Sequence, residues 1–213
     1  MTFWPEFFLI ATAHLLAVAS PGPDFAIVLR YAVRYGRKTA VYASLGIGCA
    51  ILLHVTYSLV GIGVLIKTTP WLFQVLSVAA ALYLIYLGQG AIRAKAPALH
   101  ATAELTAKTE DLPKNRAAFT AGFITNGLNP KATLFFLSLF AVVISAQTPF
   151  LYKAFYGIYM ALATAAWFAL LSFLLTQSKV RQFLLAKGFW FDRLMGILLL
   201  LLAGHLLLSS FAA

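Results

Sequence analysis

Six stretches of this chain run for about 20 residues or more with hardly a charge in them, and that property excludes most folds. They extend from about Trp4 to Tyr35, Thr39 to Ile66, Trp71 to Ile92, Arg116 to Ser145, Phe150 to Thr176 and Phe191 to Phe211. A helix rising about 1.5 Å per residue needs roughly 20 apolar residues to cross a bilayer. A membrane β-barrel would show shorter segments of alternating polarity. These runs are continuous and rich in Leu and Ala, so they read as helices. Composition agrees, with 10% charged residues against roughly 25% in a soluble domain. The expected class is an all-α polytopic membrane protein with six transmembrane helices.

The basic residues set an orientation. Arg30, Arg34, Arg37 and Lys38 lie between spans one and two, and Arg93, Lys95, Lys108, Lys114 and Arg116 between three and four. Lys179, Arg181, Lys187 and Arg193 lie between five and six, whereas the other two connections offer only Lys67 and Lys153. Cytoplasmic connections carry the excess of Lys and Arg, so both termini are expected outside. No Lys or Arg precedes Arg30, so the first span is read as a helix and not as a cleaved signal. The net charge of +10 follows from this asymmetry and suits anionic lipid headgroups. Bases spread along membrane edges are not the footprint of a nucleic-acid partner.

One segment reads as a true loop, "AKAPALHATAELTAKTEDLPKN", and it holds Glu104, Glu110 and Asp111. It divides the chain into residues 1–93, a cytoplasmic linker 94–115, and residues 116–213. Each half has three spans, so related halves must be inverted relative to one another. Helices one and four, the first of each half, are both interrupted: by Ser20-Pro21-Gly22-Pro23-Asp24 and by Asn126-Gly127-Leu128-Asn129-Pro130-Lys131. Asp24 precedes Arg37, and Asn129 follows Arg116, by roughly 20 Å of helix. The breaks therefore sit at similar depth, near or beyond the middle of a roughly 30 Å hydrocarbon core.

Proline removes a backbone donor and clashes with the preceding turn. Unwound backbone at membrane depth is tolerated only against protein or a wet cavity. A half-helix beginning after Pro23 or Pro130 offers N–H groups to a carboxylate, and one ending before a break offers carbonyls to an ammonium. Crossed breaks can thus hold a zwitterion. Plain proline kinks are the simpler reading, but one break carries an acid and the other a base. Interrupted segments in matching positions of two halves mark a transporter's binding site.

Asp24 is the one acid well inside a span, since Glu6 and Asp192 fall at span ends, and Lys131 is the one such base. Intramembrane charges face the bundle interior and mark pairs or pathways. Two roles are open for Asp24: an ion pair with Lys131, or alternate binding of a substrate ammonium and a proton. His14, His54 and His205 match no metal-ligand spacing and read as packed residues. His54, mid-span, is the best proton participant of the three. Cys49 excludes an intrachain disulfide and reads as a small packing residue. Gly36, Ala40, Ser44 and Gly48 form a stripe for close helix approach, and Ala118, Gly122 and Asn126 a shorter one.

"HLLAVASPGPDF", "GRKTAVYASLGIG", "AALYLIYLGQGAIR" and "GFITNGLNPKATLFF", in this order and spacing, resemble the LysE/RhtB-type amino-acid exporters. The first stretch is most similar to the threonine/homoserine efflux branch. The resemblance covers essentially the whole chain. It implies a bacterial inner-membrane exporter coupled to the proton gradient, with no cofactor or metal. Its motifs fall on Ser20, Pro21, Gly22, Pro23 and Asp24, and on Asn126, Asn129, Pro130 and Lys131. Ala40 and Ser44 stand where many members have glycine. Neutral substrates are favoured over lysine, because one membrane acid would otherwise serve two ammonium groups. Basic amino acids, another small solute, and a passive channel or sensor are the alternatives, and a homodimer is left open. Enzymes fit poorly: an aspartyl site needs paired aspartates, and Ser20 has no oxyanion-forming motif beside it.

Overall fold

A computed structural model describes residues 3–68, 70–93, 113–142, 144, 147–187 and 189–211. The linker expected at 94–115 lies almost wholly outside them. Nine helices occur among the described residues: α1 (Phe3–Ala19), α2 (Pro23–Arg34), α3 (Arg37–Thr68), α4 (Pro70–Ile92), α5 (Asn115–Gly127), α6 (Pro130–Val142), α7 (Phe150–Leu175), α8 (Ser178–Lys187) and α9 (Phe189–Phe211). Both expected interruptions are breaks between helices. At the first, α1 and α2 bend by 54°. Gly22 is extended there and Pro23 opens α2, where its missing N–H costs nothing. Pro130 opens α6 in the same way. The basic helix α8 has no counterpart among the apolar runs.

Residues Arg37–Val60 of α3 and all of α7 are each long and apolar enough to cross a membrane, and α1 with α2 meets the same test when the bent pair is taken together. The distribution of polarity agrees with a multi-pass membrane protein. Trp4, Phe8, Leu52, Leu82, Phe155, Leu162 and Leu201 face outward, while His14, Ser44, His54, Asn126, Asn129, Thr164 and Ser172 are buried. A water-soluble protein would avoid so extended an apolar exterior.

Helix α3 is the central element, because small residues let neighbours reach its backbone on two sides. A Cβ on Gly46 would strike the carbonyl of Phe119 in α5, and one on Gly122 would strike that of Ala43. Towards α7, a Cβ on Gly48 would lie 2.6 Å from Cβ of Ala165. Ser44 Oγ and Ser172 Oγ bond across the same contact at 3.1 Å. The expected stripe is therefore a packing seam at Ala40, Ser44 and Gly48. Gly36 does not belong to it. Nothing lies within 4 Å of where its Cβ would be, and its φ of +83° makes it the left-handed residue that ends α2. Cys49 is exposed on the outer face of α3 instead of packed, and His205 is likewise exposed.

Two apolar clusters fill the interior. One joins Ile10, Ile51, Leu84, Phe136, Met160 and Met195 from α1, α3, α4, α6, α7 and α9. The other joins Val28, Leu29, Ile47, Phe168 and Leu171 from α2, α3 and α7. The breaks lie between these clusters.

Candidate functional site

The backbone of each break is tied down before its side chains act. Ser20 N–H still bonds the Leu16 carbonyl, and Ala26 N–H bonds the Gly22 carbonyl at 2.9 Å, closing the first turn of α2. Asp24 follows Pro23 in that turn, where a helix start favours negative charge. At the second break, Asn129 caps α6: its carbonyl accepts from Thr133 N–H, and its Oδ1 accepts from Lys131 N–H, both at 3.0 Å. Asn126 lies in the last turn of α5, and its carbonyl accepts from Asn129 N–H at 2.9 Å. His54 Nε2 meets the same carbonyl at 3.0 Å. Two backbone groups expected to be open to a ligand, the Lys131 N–H and the Asn126 carbonyl, are thus engaged within the protein.

The side chains cross between the halves. Asp24 Oδ2 accepts from Asn126 Nδ2 at 3.0 Å and from Asn129 Nδ2 at 3.3 Å. Asn129 therefore uses one end of its amide to cap α6 and the other to hold Asp24. Lys131 Nζ donates to Ser20 Oγ at 2.8 Å, and Ser20 Oγ donates to Asp192 Oδ1 at 2.8 Å. A hydroxyl has one donor and two acceptor positions, so Ser20 can serve both contacts. Of the two roles open to Asp24, a direct bond to Lys131 is not the one made in this conformation: Asp24 holds the two asparagine amides and Lys131 holds Ser20. Gly22 faces the base: a Cβ there would lie 3.7 Å from Lys131 Nζ.

These residues enclose a cavity of about 40 Å³. Ser20, Gly22, Asp24, Asn126, Asn129 and Lys131 line its polar side, with His14 and Thr164. Ile51, Phe135, Phe136, Phe168 and Met195 line its apolar side. Asp24 Oδ1, Asn126 Oδ1 and His14 Nδ1 are buried there with no hydrogen-bond partner. Buried polar atoms are otherwise almost always paired, so these are three positions able to engage a ligand. Asp24 is the one acid among the described residues lining the space. A cavity of this size holds roughly three waters, so any larger ligand requires the walls to move apart.

The sequence-predicted residues have distinct places. Ser20, Gly22, Asp24, Asn126, Asn129 and Lys131 all reach the cavity. Pro23 and Pro130 shape helix starts, and Pro21 lines a neighbouring space. His54 stands outside the lining, stacked on Phe136 at 5.5 Å and bonded to the Tyr57 hydroxyl and the Asn126 carbonyl. His14 is the histidine at the cavity, with Nε2 at 3.0 Å from Thr164 Oγ1. Asp192 also escapes a reading of sequence. An acid in the first turn of a helix is explained by the helix itself, and its partner lies far away in the chain.

A model of the LysE type translocator family matches residues 15–210. A threonine efflux protein of Salmonella typhi is 31% identical over 205 residues, covering 95% of this chain and 98% of that one. A threonine efflux protein of Escherichia coli (strain K12) is 31% identical over 207 residues, with the same coverage. A leucine efflux protein of Salmonella choleraesuis (strain SC-B67) is 35% identical over 181 residues, covering 82% of this chain and 78% of the relative. No solved structure matches the chain. With the family match spanning both breaks and every residue of the cavity but His14, the chain belongs to the LysE type translocators, which are transport proteins and not enzymes.

Proposed function

We propose that the protein exports small neutral amino acids, threonine and homoserine among them, across the bacterial inner membrane in exchange for protons. The observation that carries this reading is the cavity with its unpartnered Asp24 Oδ1, Asn126 Oδ1 and His14 Nδ1. An α-ammonium has three donors, and it suits such a set. Lys131 is the group for the α-carboxylate, once its amine turns from Ser20. The apolar wall of Phe135, Phe136, Phe168 and Met195 accommodates an uncharged side chain. It offers no second acid to a cationic one. The threonine and leucine efflux relatives support the neutral class.

The transport cycle follows from the breaks. Residues 1–93 and 116–213 act as two inverted three-helix halves joined by the cytoplasmic linker 94–115, with both termini outside. A contact between α4 and α9 supports the inverted relation. A Cβ on Gly88 would lie 3.0 Å from the Gly196 carbonyl, and one on Gly196 would lie 2.7 Å from the Gly88 carbonyl. Such reciprocity is what a two-fold relation produces. Rocking of the halves opens the cavity to one face at a time. Asp24 binds the ammonium on the cytoplasmic side and a proton on the outside, so the return step carries the proton inward. His54 takes part by holding the Asn126 carbonyl at the break.

The test is efflux of labelled threonine, homoserine and leucine from preloaded proteoliposomes, with and without an imposed pH gradient. Saturable efflux that follows the gradient and shows counterflow is expected. Gradient-independent, non-saturable flux would make the protein a channel, and no flux of any of the three would remove the neutral amino-acid assignment.

A further inference from the structure

Two spaces meet at Lys131. One is the central cavity. The other has a volume of about 410 Å³ and is lined by Pro21, Tyr86, Gln89, Arg93, Lys131 and Asp192, among others. The partition between them is polar. Lys131 reaches Ser20, which lines the central cavity, and Ser20 reaches Asp192, which lines the outer space. The chain joins the first break, α6 and α9, so it spans both halves of the molecule. The outer space carries Arg93, just past the end of α4, which puts it on the side of the basic connections.

The helix start of α9 explains why a carboxylate is tolerated at position 192. It does not explain why the serine of the first break is turned to that carboxylate, nor why Lys131 borders both spaces. Along the passage the charges run acid, base, acid: Asp192, Lys131, Asp24. A zwitterion fits this series in two registers. Its carboxylate stays with Lys131 in both, and its ammonium exchanges one acid for the other.

We infer that the outer space is a second binding station for a zwitterionic α-amino acid, with Asp192 accepting the ammonium and Lys131 holding the carboxylate before the substrate passes to Asp24. In the unloaded state the Asp192–Ser20–Lys131 chain bars the passage. An ammonium arriving at Asp192 competes for the oxygen that Ser20 holds and releases the chain. The outer space is roomy enough for a small amino acid, within the roughly 300–1,000 Å³ of ordinary ligand pockets. The central cavity in this conformation is not. The station rests on the reading of the protein as an amino-acid exporter, whereas the barrier does not.

The experiment separates the two. Ala132→Cys, in the central cavity, is placed in a Cys49→Ser background. Its labelling by a membrane-impermeant thiol reagent is followed from the cytoplasmic face of inside-out vesicles. Asp192→Asn and Ser20→Ala each cut the chain at a different link. Both should speed labelling at least roughly fivefold, and Asp192→Glu should restore the slow rate. Unchanged labelling in both variants that break the chain overturns the barrier. In proteoliposomes, Asp192→Asn should raise the KM for labelled threonine and leucine roughly tenfold or more, the expected loss for a hydrogen bond to a charged group. The maximal rate should change far less. An unchanged KM overturns the station. If the parent protein moves neither amino acid, the exporter reading fails and the station with it, while the labelling still decides the barrier.

Discussion

Asp24 and Asn129 link the two breaks at the level of single residues, since Asn129 both caps α6 and donates to Asp24. Asp24→Asn keeps the size of the side chain and an oxygen for the Asn126 and Asn129 amides, but removes the charge proposed to face the ammonium. The expected outcome is a loss of roughly 10- to 100-fold in apparent threonine affinity, together with loss of gradient-driven efflux, measured in proteoliposomes. Efflux that still follows the pH gradient would remove Asp24 from coupling. Asn129 carries two functions that can be separated. Asn129→Ser keeps a cap for α6 and drops the donor to Asp24, whereas Asn129→Ala drops both. Thermal unfolding in detergent should place the serine variant near the parent and the alanine variant about 1 kcal/mol lower. Transport should be impaired in both. Equal stability of the two would mean that the bond from Lys131 N–H to Asn129 Oδ1 adds nothing. The residues of both breaks were legible in sequence, because proline, glycine and charge are out of place in an apolar run. Their partners were not. The bonds from Asn126 to Asp24 and from Ser20 to Asp192 join residues 102 and 172 positions apart, and no local pattern encodes such pairings.

At the scale of elements, the apolar runs locate α1 with α2, α3, α4, α5 with α6, α7 and α9, since length and hydropathy alone decide a membrane helix. Helix α8 escapes because Ser178–Lys187 is short and basic, with Phe183 exposed. Such a segment suits the membrane surface and not its core. Spacing by fours found the α3 seam toward α7 but included Gly36, whose role is to end α2, and passed over Gly46, which faces α5. A four-residue rule follows one face of a helix, and α3 uses two. The glycines give a direct check. Gly46→Ala and Gly122→Ala would each drive a methyl group into backbone that cannot swing aside. They should cost about 2 kcal/mol or more and sharply reduce the monodisperse fraction in detergent. Gly204→Ala, with nothing within 4 Å, should be neutral or slightly stabilising through helix propensity. Equal tolerance at all three positions would show that α3 and α5 pack less closely than described.

For the whole molecule, the question is which way the passage faces. The bases flanking α2, α3 and α5, and those of α8, belong to the three connections expected on one side, and Arg93 lines the outer space on that same side. If that side is cytoplasmic, a substrate entering from the cytoplasm would meet Asp192 first, Lys131 next and Asp24 last, as the proposed station requires. The opposite end then faces outward, where Glu6 is buried and accepts from Thr148 Oγ1 at 2.9 and 3.0 Å. In the reversed orientation, substrate leaving the cell would meet Asp24 before Asp192, and the direction of net flux would still be set by the proton gradient. A periplasm-dependent reporter fused after Ala213 should therefore be active in cells, and the same reporter inserted between Ala101 and Ala107 should be silent. Activity from the insertion and silence at the C-terminus would invert the molecule and, with it, the direction in which Asp192 and Asp24 meet the substrate.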